Sequence, residues 1–122
     1  MTNTDRVMAF IGAWNARDLD GVLARLTPDA HYVNIGFTEA RGRETIGASL
    51  GPFLAGASDV RWSVHHIAET AAGAVLTERT DVFVMGPKTI TVPVMGVFEF
   101  QGELISAWRD YFDVPGFQAQ MA

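Results

Sequence analysis

The second half of the chain contains four long segments in which apolar and polar residues alternate, at residues 59–69, 74–85, 89–100 and 103–114. The connections between these segments are only two to four residues long. Alternation with period two is typical of strands that bury one face, and connections this short join neighbouring antiparallel strands. The pattern therefore predicts an antiparallel meander. Pro93 and Gly96 indicate an edge position or a bulge in its third strand.

The first half of the chain has the periodicity of amphipathic helices. Thr2, Asn3 or Thr4 can cap a first helix, and Asp18 a second that ends at Pro28. The apolar stripes of three predicted helices are Val7, Phe10, Ile11 and Trp14; Leu19, Val22, Leu23 and Leu26; and Ile46, Leu50, Phe53 and Leu54. Helices followed by strands predict one α+β domain over residues 1–122, with the helices packed on a strongly curved sheet around a conical pocket.

Composition excludes several classes of function. The net charge of −5 argues against nucleic acid as a partner, because nucleic-acid binding needs basic surface. The chain has no cysteine, and the adjacent His65 and His66 would point to opposite faces of a strand, so we expect no metal site. The polar start of the chain and the lack of any run of about 20 apolar residues predict a cytoplasmic protein with no membrane partner.

Asp110 lies in the apolar stripe of the last predicted strand. Strict alternation places Leu104, Ser106, Trp108, Asp110, Phe112 and Val114 on one face, and Ile105, Ala107, Arg109, Tyr111 and Asp113 on the other. A buried carboxylate needs a partner or a proton, because burying an isolated charge is too costly. Asp110 is therefore either a structural aspartate bonded to backbone amides or a chemical group, and its aromatic neighbours favour the second reading.

Arg79 and Asp81 share one face of the second long strand with Val75, Phe83 and Met85. They could be a surface pair on an edge strand, but the apolar neighbours favour an interior position. If this face meets Asp110, one arginine lies between two carboxyls, which its forked donors can bridge. One positive charge cannot compensate two negative charges at low dielectric. One carboxyl should then keep a proton while the other is ionised, which supplies an acid and a base.

Tyr32 and Asn34 lie two residues apart on a short predicted strand at residues 30–35. Their hydroxyl and amide groups could hold a water molecule, although the sequence alone favours a half-exposed polar face. The following segment, residues 36–42, is predicted to be a loop at the mouth of the pocket.

Three stretches together resemble the limonene-1,2-epoxide hydrolase family, which has the nuclear transport factor 2-like (cystatin-like) fold. They are Tyr32-Val-Asn34, Thr77-Glu-Arg-Thr-Asp81, and Val94-Met-Gly-Val-Phe98 leading into Trp108-Arg-Asp-Tyr-Phe-Asp113. The resemblance implies a homodimer that adds water to an epoxide in one step and needs no cofactor. It also implies that Asp110 activates water held by Tyr32 and Asn34, that Asp81 protonates the epoxide oxygen, and that Arg79 bridges the two aspartates.

The expected substrate is a small apolar epoxide, cyclic or terpenoid-like, and the product is a vicinal diol. Six residues are expected to line its pocket: Trp108, Phe112, Phe83, Met85, Met95 and Phe117. Three alternatives stay open. One aspartate could be a nucleophile, the protein could be an isomerase or cyclase acting on a carbonyl substrate, or it could be a ligand-binding or dimerisation module without activity.

Overall fold

The computed structural model describes all residues from 1 to 122. It is an α+β fold in which three helices come mainly before a long meander of strands and a fourth helix follows it. The elements are α1 (Asn3–Asn15), α2 (Leu19–Ala24), β1 (Leu26–Asn34), β2 (Thr38–Arg41), α3 (Arg43–Gly56), β3 (Ala57–Glu69), β4 (Val75–Met85), β5 (Lys88–Gln101), β6 (Leu104–Phe112) and α4 (Val114–Met121). The predicted fold class is confirmed.

All six strands form one sheet in the order β2-β1-β6-β5-β4-β3. The strands β3 to β6 make the predicted antiparallel meander, and β1 is parallel to β6. The strand β5 is in the interior of the sheet, so the expectation of an edge position was wrong. Pro93 is tolerated there because it lies one residue beyond the last pair of β5 with β6, Val94 opposite Phe112.

The helices bury their apolar stripes against one face of the sheet. A capping box between Thr2 and Asp5 begins α1, because each side chain bonds the backbone N–H of the other residue. An aromatic cluster joins α1 to the strands, with the rings of Phe10 and Trp108 5.0 Å apart and those of Trp14 and Trp62 4.8 Å apart. This cluster closes one side of the space between helices and sheet.

The second helix ends earlier than its apolar stripe predicts. It begins at the Asp18 cap as expected but stops at Ala24, and Leu26 is the first residue of β1, with a side chain only 1% exposed. The reason is strand pairing, since the backbone N–H of Ile105 in β6 donates to the carbonyl of Arg25 at 2.9 Å. Pro28 lies inside β1, where the register with β6 shifts.

Two bulges break the strict alternation that the sequence analysis assumed. In β6 the register with β5 shifts by one residue near Ser106, so Ile105 is buried on the same side as Trp108 instead of the opposite side. In β3 the register shifts near His65, and both His65 and His66 are exposed. Asp110 lies beyond the β6 bulge and keeps its predicted face.

The predicted loop at residues 36–42 is mostly a strand. Its residues 38–41 form β2, which pairs with β1 in a hairpin whose turn contains Gly36 at φ 74°. The chain then ends in the short helix α4, which is capped by Asp113. Gln120 of α4 bonds the first part of β5, which precedes its pairing with β6. The Gln120 amide bonds both the N–H and the C=O of Thr91 at 2.8 Å. Phe117 is partly buried and packs against the hydrophobic core, whereas Met121 is 38% exposed.

Candidate active site

A cavity of about 240 Å³ lies between the helices and the sheet. Its wall is mainly apolar and includes Trp14 from α1, Phe53 from α3, Phe117 from α4, and Trp62 and Phe83 from the strands. Six polar residues also line it: Tyr32, Asn34, Thr38, Ser49, Asp81 and Asp110. An apolar cavity with a few convergent polar groups is the usual form of a small-molecule site.

Strand register brings the polar residues of β1 and β6 together. Asn34 is directly opposite Asp110 in the β1–β6 pair, and Asp110 is opposite Gly96 in the β6–β5 pair. Gly96 in turn is opposite Thr77 in the β5–β4 pair. These four residues form one row across four strands, which we call the transverse row. Asp81 is on the same face of β4 as Thr77, four residues further along the strand.

Arg79 lies behind the cavity wall and binds both aspartates. Its Nε and Nη2 donate to the two carboxylate oxygens of Asp81 at 2.9 and 3.1 Å. Its Nη2 is 2.8 Å from Asp110 Oδ2, and its side chain has no exposed surface. The ring of Trp62 covers one face of the guanidinium, 4.2 Å from Cζ. This is a fully buried acid–arginine–acid cluster.

Burial dominates the protonation of this cluster. Removal from water raises the pKa of Asp81 to about 7, although Arg79 opposes that change. The same loss of solvation raises the pKa of Asp110, again against the attraction of Arg79. Arg79 supplies one positive charge for two buried carboxyls, so the favoured state has one carboxyl ionised and the other protonated. The two carboxyls therefore titrate as a coupled pair.

The β1 side of the site is neutral. The Asn34 amide and the Tyr32 hydroxyl bond each other, with Asn34 Nδ2 donating to the hydroxyl oxygen at 2.9 Å and the hydroxyl lying 3.2 Å from Asn34 Oδ1. Asn34 Nδ2 also donates to Thr38 Oγ1 at 2.9 Å. The Tyr32 ring stacks on Trp108 at 3.8 Å. Burial and the nearby Asp110 raise the pKa of Tyr32, so its hydroxyl keeps its proton.

One oxygen of the cluster has no partner within the protein. Asp110 Oδ1 is buried and makes no hydrogen bond, whereas Asp110 Oδ2 and both oxygens of Asp81 contact Arg79. A buried acceptor without a partner is costly in a folded protein unless it serves a ligand. Asp110 Oδ1 is therefore the atom of the cluster that can accept a hydrogen bond from a bound molecule.

The structure brings the five expected catalytic residues together, but only half of the expected pocket residues line the cavity. Phe83, Phe112 and Phe117 do, whereas Trp108, Met85 and Met95 lie elsewhere. Trp108 has the right face but is covered by the Tyr32 ring. Met95 precedes Gly96 and so points to the opposite face of the sheet, where it is 49% exposed.

Met85 is the last residue of β4 and lies near Gly56 at the end of α3, outside the cavity.

The sequence analysis also missed residues that contribute to the site. Trp14 and Phe53 were assigned to the core alone, and Thr38 to a loop. Thr77 carried the only clear signal, because it shares the parity of Arg79 and Asp81 along β4. No group of three or more His, Cys, Asp or Glu side chains is arranged to hold a metal ion.

Comparison with solved structures first establishes the class of the fold. A SnoaL-like protein from Shewanella denitrificans superposes with a TM-score of 0.85 at 15% identity, over 98% of this chain and 96% of that one. A cystatin-fold protein from Novosphingobium aromaticivorans gives 0.79 at 22% identity, over 90% and 97% of the two chains. At these identities the likeness shows the nuclear transport factor 2-like, cystatin-like fold alone.

Sequence similarity then defines the family. Residues 1–122 match the limonene-1,2-epoxide hydrolase catalytic domain. Epoxide hydrolase EphG of Mycobacterium tuberculosis is 43% identical over 109 residues, which are 88% of this chain and 71% of the relative. The structure of an M. tuberculosis LEH-like epoxide hydrolase superposes with a TM-score of 0.84 at 36% identity, over 98% and 91% of the two chains. The chain belongs to the limonene-1,2-epoxide hydrolase family and is an epoxide hydrolase.

No helix has the length and apolar character that crossing a lipid bilayer requires.

Proposed function

We propose that this epoxide hydrolase adds water to a small apolar epoxide in one step, without a covalent intermediate, and releases a vicinal diol. The observation that carries the proposal is the unpartnered, buried Oδ1 of Asp110. It lies in the transverse row opposite Asn34, and through Arg79 its carboxylate is linked to a second carboxyl with a raised pKa. A base, an acid and a polar water site are thus within one cavity.

The base in this mechanism is Asp110. A water molecule donates one hydrogen bond to Asp110 Oδ1 and one to Asn34 Oδ1, and accepts one from the Tyr32 hydroxyl. The Tyr32 hydroxyl can turn its proton towards the water because its own bond to Asn34 Oδ1 is long, at 3.2 Å. The hydroxyl oxygen stays in place because Asn34 Nδ2 donates to it at 2.9 Å. Three partners fix the water oxygen for attack, and positioning of this kind lowers the entropic part of the barrier.

The acid is Asp81. The water oxygen forms a bond to an epoxide carbon, that carbon's bond to the epoxide oxygen breaks, the water gives a proton to Asp110, and Asp81 gives its proton to the departing oxygen. Asp110 ends protonated and Asp81 ionised, and proton exchange with solvent restores the starting state. The raised pKa of Asp81, about 7, supports this assignment because it keeps the acid protonated near neutral pH.

The cavity supports a small, cyclic or terpenoid-like substrate. Its volume of about 240 Å³ is slightly below the range of roughly 300–1,000 Å³ for pockets that bind drug-sized ligands. Aromatic and aliphatic side chains form most of its wall. An isomerase or cyclase acting on a carbonyl compound is the weaker alternative, because an oxyanion hole does not need an arginine between two carboxyls.

We propose in addition that the protein is a homodimer, as family membership suggests. The sheet face opposite the cavity carries Leu76, Met95 and Tyr111, each more than a third exposed. These side chains belong to adjacent strands β4, β5 and β6 and would form an apolar contact between two copies. Sedimentation velocity would contradict the dimer if the protein stays a monomer at micromolar concentration.

A single turnover in ¹⁸O-labelled water tests the mechanism. Enzyme in excess is mixed with limonene oxide, cyclohexene oxide or styrene oxide, and the diol is analysed by mass spectrometry. If water is activated directly, the first diol carries the label. If an aspartate attacks carbon, the first diol carries an unlabelled carboxylate oxygen. Absence of diol from all three epoxides would instead contradict the proposed substrate class.

A further inference from the structure

The transverse row contains a residue whose lack of a side chain matters to the site. Its members are Asn34, Asp110, Gly96 and Thr77, one from each of β1, β6, β5 and β4. Three of them point polar side chains to the cavity face, and Gly96 is the exception. The backbone of Gly96 does not have a positive φ angle, so conformational freedom does not explain a glycine here.

Space explains it instead. A Cβ atom on Gly96 would lie 2.3 Å from Arg79 Nη1, 2.8 Å from Asp110 Oδ1 and 3.0 Å from Thr77 Oγ1. The guanidinium therefore lies over the backbone of β5, in the volume that any other residue would fill. Arg79 is only 1% exposed and the Trp62 ring covers one face of its guanidinium, so a side chain at position 96 would have to displace the guanidinium from its present position.

Thr77 holds the one arm of the guanidinium that contacts neither aspartate. Its Oγ1 accepts from Arg79 Nη1 at 3.1 Å, and its hydroxyl is 3.5 Å from the carbonyl oxygen of Gly96. Nε and Nη2 are used by Asp81 and Asp110, so Thr77 is the side-chain acceptor for Nη1. Thr77 is 1% exposed, so its hydroxyl is out of contact with bulk solvent.

We propose that Thr77 and Gly96 are positioning residues for epoxide hydrolysis, which orient Arg79 so that it bridges the two carboxyls and leaves Asp110 Oδ1 available to water. The inference rests on the proposed function of Asp110 as base. Arg79 Nη1 and Asp110 Oδ1 both lie within 3 Å of the point where a Gly96 Cβ would be. Without the Thr77 hydroxyl, these two buried groups are left without partners and can pair with each other.

That pairing predicts a particular change in the kinetics. An arginine N–H on Asp110 Oδ1 would occupy the lone pair that accepts the water proton, and it would lower the pKa of the base. The turnover number should therefore fall, and the acidic limb of the pH profile should move to lower pH. KM should change little, because neither Thr77 nor Gly96 lines the cavity.

The test compares three threonine variants by kcat, KM and the pH dependence of kcat/KM for diol formation. Thr77→Val keeps the shape and removes the acceptor, and we expect kcat to fall about 10- to 100-fold, the range for a hydrogen bond to a charged group. Thr77→Ser keeps the hydroxyl and should restore most of kcat and the wild-type limb. Thr80→Val is the matched control, since Thr80 is on the opposite face of β4 and bonds His65 at 2.8 Å.

The glycine is tested by Gly96→Ala, with Gly12→Ala as its control because a Cβ on Gly12 meets no atom within 4 Å. We expect Gly96→Ala to lose activity more severely than Thr77→Val. If Gly96→Ala does not fold, the Thr77 variants still decide. Wild-type kcat and an unmoved acidic limb in Thr77→Val would overturn the inference, as would a loss of thermal stability alone. A wild-type enzyme that forms diol with no acidic limb at all would instead contradict Asp110 as base.

Discussion

The two halves of the active site are built on different principles. The charged half consists of Arg79, Asp81 and Asp110 on the central strands β4 and β6, and all three side chains are almost completely buried. The neutral half consists of Tyr32, Asn34 and Thr38 on the edge hairpin β1–β2, where the side chains are half-buried or exposed. In the sheet interior, strands paired on both sides fix where the charged side chains lie. At the edge hairpin, hydrogen bonds among the neutral side chains themselves fix their positions.

The difference teaches what each half can contribute. Low dielectric in the interior makes charge interactions strong, so the charged half determines how many protons the site holds. The neutral groups Tyr32 and Asn34 do not change charge near neutral pH, and they contribute geometry. Removing a charged group should therefore abolish a chemical step, whereas removing a neutral one should loosen the position of the water.

The largest expected effect comes from the carboxyls. We predict that Asp110→Asn and Asp81→Asn each lower kcat by about 100- to 10,000-fold, the usual contribution of a general base or acid, because an amide of the same shape cannot transfer the proton. Initial rates of diol formation measure the change. The control is Asp59→Asn, an exposed carboxylate on β3 that lies 3.7 Å from Arg61.

Circular dichroism must show that both variants are folded, since an unpaired Arg79 is itself destabilising. Either variant retaining more than about a tenth of wild-type kcat would show that the charged half does not transfer protons in this reaction.

The next effect is a loss of activity at alkaline pH. Asp81 must keep its proton to act as the acid, and burial raises its pKa to about 7. We predict that kcat/KM falls about tenfold per pH unit above that value.

The stability of the fold should depend on the same carboxyl. Folding raises the pKa of the Asp81 carboxyl from 3.8 to about 7, so the folded protein holds this proton more tightly than the unfolded chain does. The resulting contribution to the free energy of unfolding is complete below about pH 4 and is lost as the pH rises through about 7.

Urea unfolding of the wild type and of Asp81→Asn, at pH 5 to 8, separates this carboxyl from the others. The free energy of unfolding of the wild type should fall with pH relative to the variant, because asparagine stays neutral. Asp29→Asn, an exposed acid on β1, should run parallel to the wild type. A wild type that gains stability over Asp81→Asn as pH rises would mean that Asp81 is ionised in the folded protein.

The same contrast explains what the sequence could predict. Every residue of β4 from Val75 to Met85 pairs with β5 in regular register, so simple alternation correctly placed Arg79 and Asp81 on one buried face. Asp110 was found for the same reason. Alternation failed at Ile105, because a bulge inserts one residue and no local residue preference announces it.

The edge hairpin and the depth of the cavity could not be predicted in this way. Residues 38–41 form a strand only because β1 is next to them, which is a tertiary effect on a segment too short to show periodicity. Trp108 has the parity of the cavity face, yet Tyr32 covers it. Alternation states which face a side chain takes, but not what lies above it. Three of the six expected pocket residues therefore do not line the cavity, whereas Arg79, Asp81 and Asp110 meet on the face where alternation places them.

The smallest expected effect tests the neutral half through Thr38, which accepts a hydrogen bond from Asn34 Nδ2 at 2.9 Å. That bond favours the amide orientation in which Asn34 Oδ1 is free to accept from water. We predict that Thr38→Val lowers kcat by about three- to tenfold, and that Thr38→Ser restores it. The loss is modest because Thr38 is exposed, so a solvent molecule can take the place of the hydroxyl.

Thr77→Val makes the same chemical change at a buried position, out of contact with bulk solvent, and should lower kcat several-fold more. Parallel rate measurements on these two valine variants compare the halves directly. A larger loss at Thr38 than at Thr77 would mean that orientation of the water, and not the charge cluster, limits the reaction.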